Sequence, residues 1–152
     1  RDFVIEGDEY DSACFDKTAK FLKYLPDVAI VANIEFDHAD IYEDLDAVRL
    51  AFRRLVNLVP RSGLLLVGAD SPDAMALVPA ARSRVETFGL AEGADWRAYD
   101  LEASPAGMRF RVQRVRAPLG VFEMPLAGAH NVMNALAART APSATPGLRA
   151  AD

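Results

Sequence analysis

Three short clusters concentrate the residue types that can do chemistry in this chain. The first is Glu6-Gly7-Asp8-Glu9-Tyr10-Asp11, with four carboxylates in six residues. Crowded carboxylates repel one another, and a hard divalent cation such as Mg²⁺ relieves that repulsion through oxygen ligands. A solvated acidic turn is the plain alternative. The second is Asn33-Ile34-Glu35-Phe36-Asp37-His38-Ala39-Asp40. A histidine flanked by two aspartates just after an apolar run can ligate a metal or orient a phosphate. It can equally be a loop histidine held by a carboxylate. The third is Gly128-Ala129-His130-Asn131-Val132-Met133-Asn134. A glycine lets the backbone approach a ligand, and a helix start offers free N–H groups. Asn131 and Asn134 share a helix face, and their amides both donate and accept hydrogen bonds, which suits a purine edge. Ordinary helix capping would use the same residues.

Other chemistries find little support. No stretch matches G-x-x-x-x-G-K-[ST] or G-x-G-x-x-G. The serines and threonines near His38 and His130 do not suggest a nucleophilic triad. Trp96 and the scattered phenylalanines read as core or sheet residues, not as a base-stacking platform. Cys14 is the only cysteine, so no internal disulfide is possible and a reducing compartment, the cytoplasm, is expected. No base stands beside it, so it reads as a small apolar residue.

The elements that must position these clusters follow from periodicity. Phe3-Val4-Ile5 reads as a strand running into the acidic turn. Residues 15–25 read as a helix with Phe15, Ala19, Phe21 and Leu22 inward, ended by Pro26. Val28 to Ala32 is a continuous apolar run, the pattern of a buried parallel strand. Asp44 is placed to cap a helix over 45–58 whose inner face is Val48, Ala51, Phe52, Leu55 and Leu58. Leu64 to Val67 is a second buried strand with its exit at Gly68-Ala69-Asp70. A short helix over 72–81 and a strand over 85–88 come next. Residues 95–102, 108–116 and 119–124 form an antiparallel section broken at Gly107 and Pro118-Leu119-Gly120. A last helix covers 130–139, and residues 140–152, rich in Ala, Pro, Ser and Thr, read as a loose or non-native tail. The expected fold is α/β: a mostly parallel open sheet flanked by helices, with strands near 3–6, 28–33 and 64–68 and a small antiparallel section. In such sheets ligands bind beyond the carboxyl ends of the strands, where the polar clusters fall.

The 152 residues suit one domain with a sizeable core. A net charge of −5 offers no basic footprint for nucleic acid or an anionic membrane, so any phosphate binding must be local. No apolar run approaches the roughly 20 residues of a membrane span, and no signal peptide is evident. The abrupt start at Arg1-Asp2 reads as a chain cut away upstream.

Taken in order, the clusters E-x-D-E-x-D, N-x-x-x-D-H-x-D and G-x-H-N-x-x-N resemble the Mur ligase family over residues 2–139. The resemblance implies that residues 1–139 are a partial central, ATP-binding domain. The phosphate loop G-T-x-G-K-T would lie upstream and the amine-binding domain downstream, both outside this chain. It implies an ATP-dependent peptide ligase of cell-wall synthesis that phosphorylates a muramate carboxylate and lets an amine attack the acyl phosphate. Glu6 matches the family's metal-binding glutamate, and His38 the histidine that helps hold a second Mg²⁺. Asp37 supports that loop, so Asp37 and His38 are the catalytic candidates. His130, Asn131 and Asn134 match the group near adenine and ribose of ATP.

Glu9-Tyr10-Asp11, Phe15-Asp16-Lys17 with Lys20-Phe21, and Asn33 to Asp40 resemble the muropeptide-ligase branch, which joins murein tripeptide to UDP-N-acetylmuramate in peptidoglycan recycling. The L-alanine-adding branch is the runner-up; Tyr10, Lys17 and Ala39 argue against it. Where several members carry a carbamylated lysine, Phe52 stands here, which fits both branches. Two readings come from other classes. A metal-dependent phosphohydrolase could be built on Asp37-His38, though two histidines are few for such a site. A non-catalytic, weakly nucleotide-binding remnant needs only the fold.

Overall fold

A computed structural model describes residues 3–7, 11–13, 16–36 and 42–144. The centre is a six-stranded sheet in the order β3-β4-β5-β6-β7-β8. Its strands are β3 (Val28–Val31), β4 (Leu64–Gly68), β5 (Arg84–Gly89), β6 (Trp96–Ser104), β7 (Gly107–Arg114) and β8 (Ala117–Met124). A separate antiparallel pair, β1 (Asp11–Ala13) and β2 (Asp16–Ala19), precedes it. Strands β3, β4, β5 and β6 pair in parallel, and β6, β7 and β8 form an antiparallel meander.

Strand β4 shows why the sequence reads as it does. All five of its residues are buried, because the sheet is covered on both faces. Leu65 and Val67 enter one apolar cluster with α1 (Leu45–Leu58), while Leu64 and Leu66 enter another with α3 (Ala129–Ala144). Helix α1 is capped as expected: the Asp44 Oδ1 accepts from the Ala47 N–H at 2.8 Å. It lays Val48, Ala51, Leu55 and Val56 on the sheet. Arg49, on its flank, reaches Asp73 of α2 (Pro72–Met75) at 2.6 Å and Asp46 at 2.8 Å. Hydrogen bonds to Asp46 and Asp73 raise its already high pKa. The expected short helix over 72–81 divides into α2 and a 3₁₀ turn at Val78–Ala80.

The antiparallel section is continuous with the parallel sheet. The link is short: β5 and β6 pair in parallel only at Phe88–Trp96 and Gly89–Arg97. The connection between them folds back on Asp95, whose Oδ2 accepts from the Thr87 N–H at 2.8 Å and from the Thr87 hydroxyl at 2.9 Å. The parallel register lasts only these two pairs, and beyond it β6 turns into the antiparallel hairpins with β7 and β8.

Three expectations are corrected. Residues 3–7 form no strand, and Phe3 and Val4 stand 86% and 93% exposed. Among the described residues the sheet ends at β3, and an apolar tripeptide without a ladder partner has nothing to hold it as a strand. Over the described part of the expected helix 15–25, residues 16–25 are not an α-helix: β2 leads directly into a 3₁₀ turn at Lys20–Lys23. Ala19 and Phe21 are buried. Leu25, before Pro26, takes φ +47°, a conformation no continuing helix allows. Helix α3 does not stop at 139 but runs to Ala144. Thr140 is fully buried, and its hydroxyl donates to the Ala137 carbonyl at 2.8 Å, so a polar residue serves the inner face.

Candidate functional site

The third cluster is described in full. The Gly128 carbonyl accepts the Val132 N–H at 3.3 Å, the first α-helical bond of α3, and the Asn131 N–H at 3.1 Å. Gly128 itself has φ +101°, a region that favours glycine. Val132 and Leu136 are buried and set the roll of the helix against β4, β5 and β6. That roll leaves His130 and Asn134 exposed and Asn131 partly so. The Asn131 side-chain amide donates through Nδ2 to the Ala127 carbonyl at 2.7 Å. Because its partner can only accept, the nitrogen must face the turn, and Oδ1 is the atom left for another donor. His130, Asn131 and Asn134 are thus brought together in the first turn and a half of one helix.

The second cluster is described only at its start. Ile34 is buried and anchors the exit of β3. The Asn33 amide nitrogen donates to Glu35 Oε1 at 2.6 Å, and its oxygen accepts from the Ile34 N–H at 2.9 Å. The crossing of this exit over β4 depends on Gly68, where any Cβ would run into the Ala32 carbonyl. Asp37 and His38 lie outside the described residues.

Of the first cluster, Glu6 is exposed in segment 3–7, which forms neither strand nor helix. The following Gly7 passes 3.6 Å from the Phe21 Cβ, measured from the position a side chain would take. Phe21 in turn packs on Phe52 of α1, ring centroids 5.2 Å apart. Phe52 is therefore a packing residue at the position matched above to a lysine. Among the described residues no three His, Cys, Asp or Glu side chains converge to hold a metal ion. Glu6 is the one described member of the expected metal pair, and its expected partner His38 lies outside the described residues. The sequence reading missed Ala127, whose carbonyl holds the Asn131 amide. Its position four before Asn131, at a helix start, was the available signal.

The Mur ligase middle domain matches residues 3–141. The chain belongs to the Mur ligase family. A UDP-N-acetylmuramate–L-alanine ligase from Solibacter usitatus is 40% identical over 135 residues, 89% of this chain and 27% of that protein. Two solved structures superpose closely. One is UDP-N-acetylmuramate:L-alanyl-gamma-D-glutamyl-meso-diaminopimelate ligase (MPL) from Neisseria meningitides, with TM-score 0.78 and 37% identity, covering 99% of this chain and 48% of that one. The other is a murein peptide ligase mpl from Psychrobacter arcticus, with TM-score 0.77 and 31% identity, covering 96% of this chain and 30% of that one. The chain spans about 27% of the length of the curated relatives it matches. As a Mur ligase middle domain, it carries the six-stranded mixed sheet flanked by helices that its sequence pattern implied. Among the described residues no helix is long and apolar enough to cross a membrane.

Proposed function

We propose that this Mur ligase domain is part of an ATP-dependent ligase that forms an amide on the carboxylate of UDP-N-acetylmuramate. The observation that carries the reading is the α3 start, where the Asn131 amide nitrogen is tied to the Ala127 carbonyl and leaves Oδ1 for another donor, next to His130 and Asn134. An amide oxygen kept for a donor suits the exocyclic amine of adenine. The names of its relatives supply the other substrate, since the ligases from Solibacter usitatus and Neisseria meningitides both act on UDP-N-acetylmuramate. In this reading ATP phosphorylates the muramate carboxylate, and the amine displaces phosphate from the acyl phosphate. Glu6 and His38, steadied by Asp37, would hold Mg²⁺, which offsets phosphate charge when bound. The enzyme would work in the cytoplasm, where ATP and the nucleotide-linked sugar are available.

For the amine, the murein tripeptide L-alanyl-γ-D-glutamyl-meso-diaminopimelate is favoured by Tyr10, Lys17 and Ala39 and by the structural likeness to the Neisseria enzyme. The second reading is L-alanine, favoured by the 40% identity to an L-alanine ligase. The experiment is direct competition: the full-length ligase with ATP, Mg²⁺, UDP-N-acetylmuramate and equal amounts of L-alanine and tripeptide, products weighed by mass spectrometry. Tripeptide product alone supports the first amine, and alanyl product alone the second. Neither product would overturn the ligase reading.

A further inference from the structure

A Cβ at Gly128 would lie 2.7 Å from Cε1 and 2.9 Å from Nδ1 of His130. No carbon atom and imidazole approach so closely. The space a side chain would take at 128 is occupied by the imidazole. We infer that Gly128 is a positioning residue: its bare Cα is the seat of the His130 ring. The core does not do this work, because His130 is exposed. Asn131 is tied to the same turn by other means, through the Ala127 carbonyl at 2.7 Å. The turn at 127–128 therefore sets both side chains, one by a vacancy and one by an acceptor. The seating stands on geometry; its consequence for ligand binding rests on the nucleotide reading above.

Two measurements separate these levels. In ligand-free NMR spectra of the 152-residue chain, the Gly128 α-protons should be displaced by the neighbouring ring, and His130→Ala, at an exposed position, should abolish that displacement. Gly128→Ala should in turn move the His130 Cε1–H signal toward that of free histidine, with the Val132 and Leu136 methyl signals keeping their dispersion. Gly128 protons that ignore His130→Ala overturn the seating, whether or not Gly128→Ala folds. In the full-length ligase with ATP as probe, Gly128→Ala should weaken binding about tenfold, the loss of one ligand contact. Added to His130→Ala, it should weaken binding no further, because its effect passes through the ring. An equal loss in both backgrounds would mean that Gly128 acts on the backbone alone, and the positioning role would be wrong. A wild-type full-length ligase that binds no ATP overturns the nucleotide reading, and the ring signals decide the seating by themselves in either case.

Discussion

The indole Nε1–H of Trp96 donates to Glu86 Oε2 at 2.6 Å, joining β6 to β5 next to the shortest strand pairing in the sheet. Arg114 of β7 completes the cluster, with its guanidinium carbon 4.6 Å from the Trp96 ring centroid and Nη2 3.2 Å from Glu86 Oε1. Three side chains thus fasten three strands where the backbone ladder supplies only two residue pairs. Glu86→Ala should leave the buried indole N–H without an acceptor and destabilise the fold by about 1–3 kcal/mol. Glu86→Gln keeps an acceptor and should cost clearly less. Denaturant unfolding, followed by the fluorescence of the single tryptophan, measures both. Equal stability of wild type and Glu86→Ala would show that the fastening is idle.

Thr140 bears on the length of α3. Ending the chain after Arg139 removes a fully buried side chain and its bond to Ala137. The expected loss is about 1–2 kcal/mol with a fall in helical circular dichroism, the usual size for removing a packed helix turn. A truncated chain as stable as the original would return residues 140–144 to the status of a tail.

Asn131 tests the adenine contact. In the full-length ligase, Asn131→Ala should raise the KM for ATP about tenfold, as expected for one lost hydrogen bond to the base. The KM for UDP-N-acetylmuramate should not change. A rise in both, or in neither, would remove Asn131 from the nucleotide site.

The chain by itself should not join either amine to UDP-N-acetylmuramate or hydrolyse ATP. Phosphoryl transfer depends on positioned cationic groups around the moving phosphate, and no G-x-x-x-x-G-K-[ST] loop stands in these 152 residues. Purified chain with ATP, Mg²⁺, UDP-N-acetylmuramate and amine should give no product above a Glu6→Ala control. Product above that control would mean that the residues present suffice.

The sequence by itself determined the strands and helix that are buried on a definite side. A strand covered on both faces must be apolar at every position, so β4 announced itself as a continuous run; β3 reads the same way, yet as the edge strand it leaves Ile30 exposed. Helix α1 did so through its repeat and through Asp44, because burial of one face and capping of one end each need particular residue types. The clusters were legible for the same reason: carboxylates, histidine and amides crowd together only where chemistry or solvent accepts them. Tertiary structure decided what depends on a partner distant in sequence. Residues 3–5 have the composition of a strand, but a strand needs a neighbour, and none of the described residues pairs with them. Residues 16–23 satisfied a helical repeat locally. The pairing of β1 with β2 took residues 16–19 into a strand, and the burial of Phe21 goes with a 3₁₀ turn over residues 20–23. The length of α3 turned on whether a threonine meets the core, and the seat of His130 on whether a glycine two residues earlier leaves room for a ring. Such questions are settled by contact in space, where packing energy exceeds the small local preferences that a sequence window can reveal.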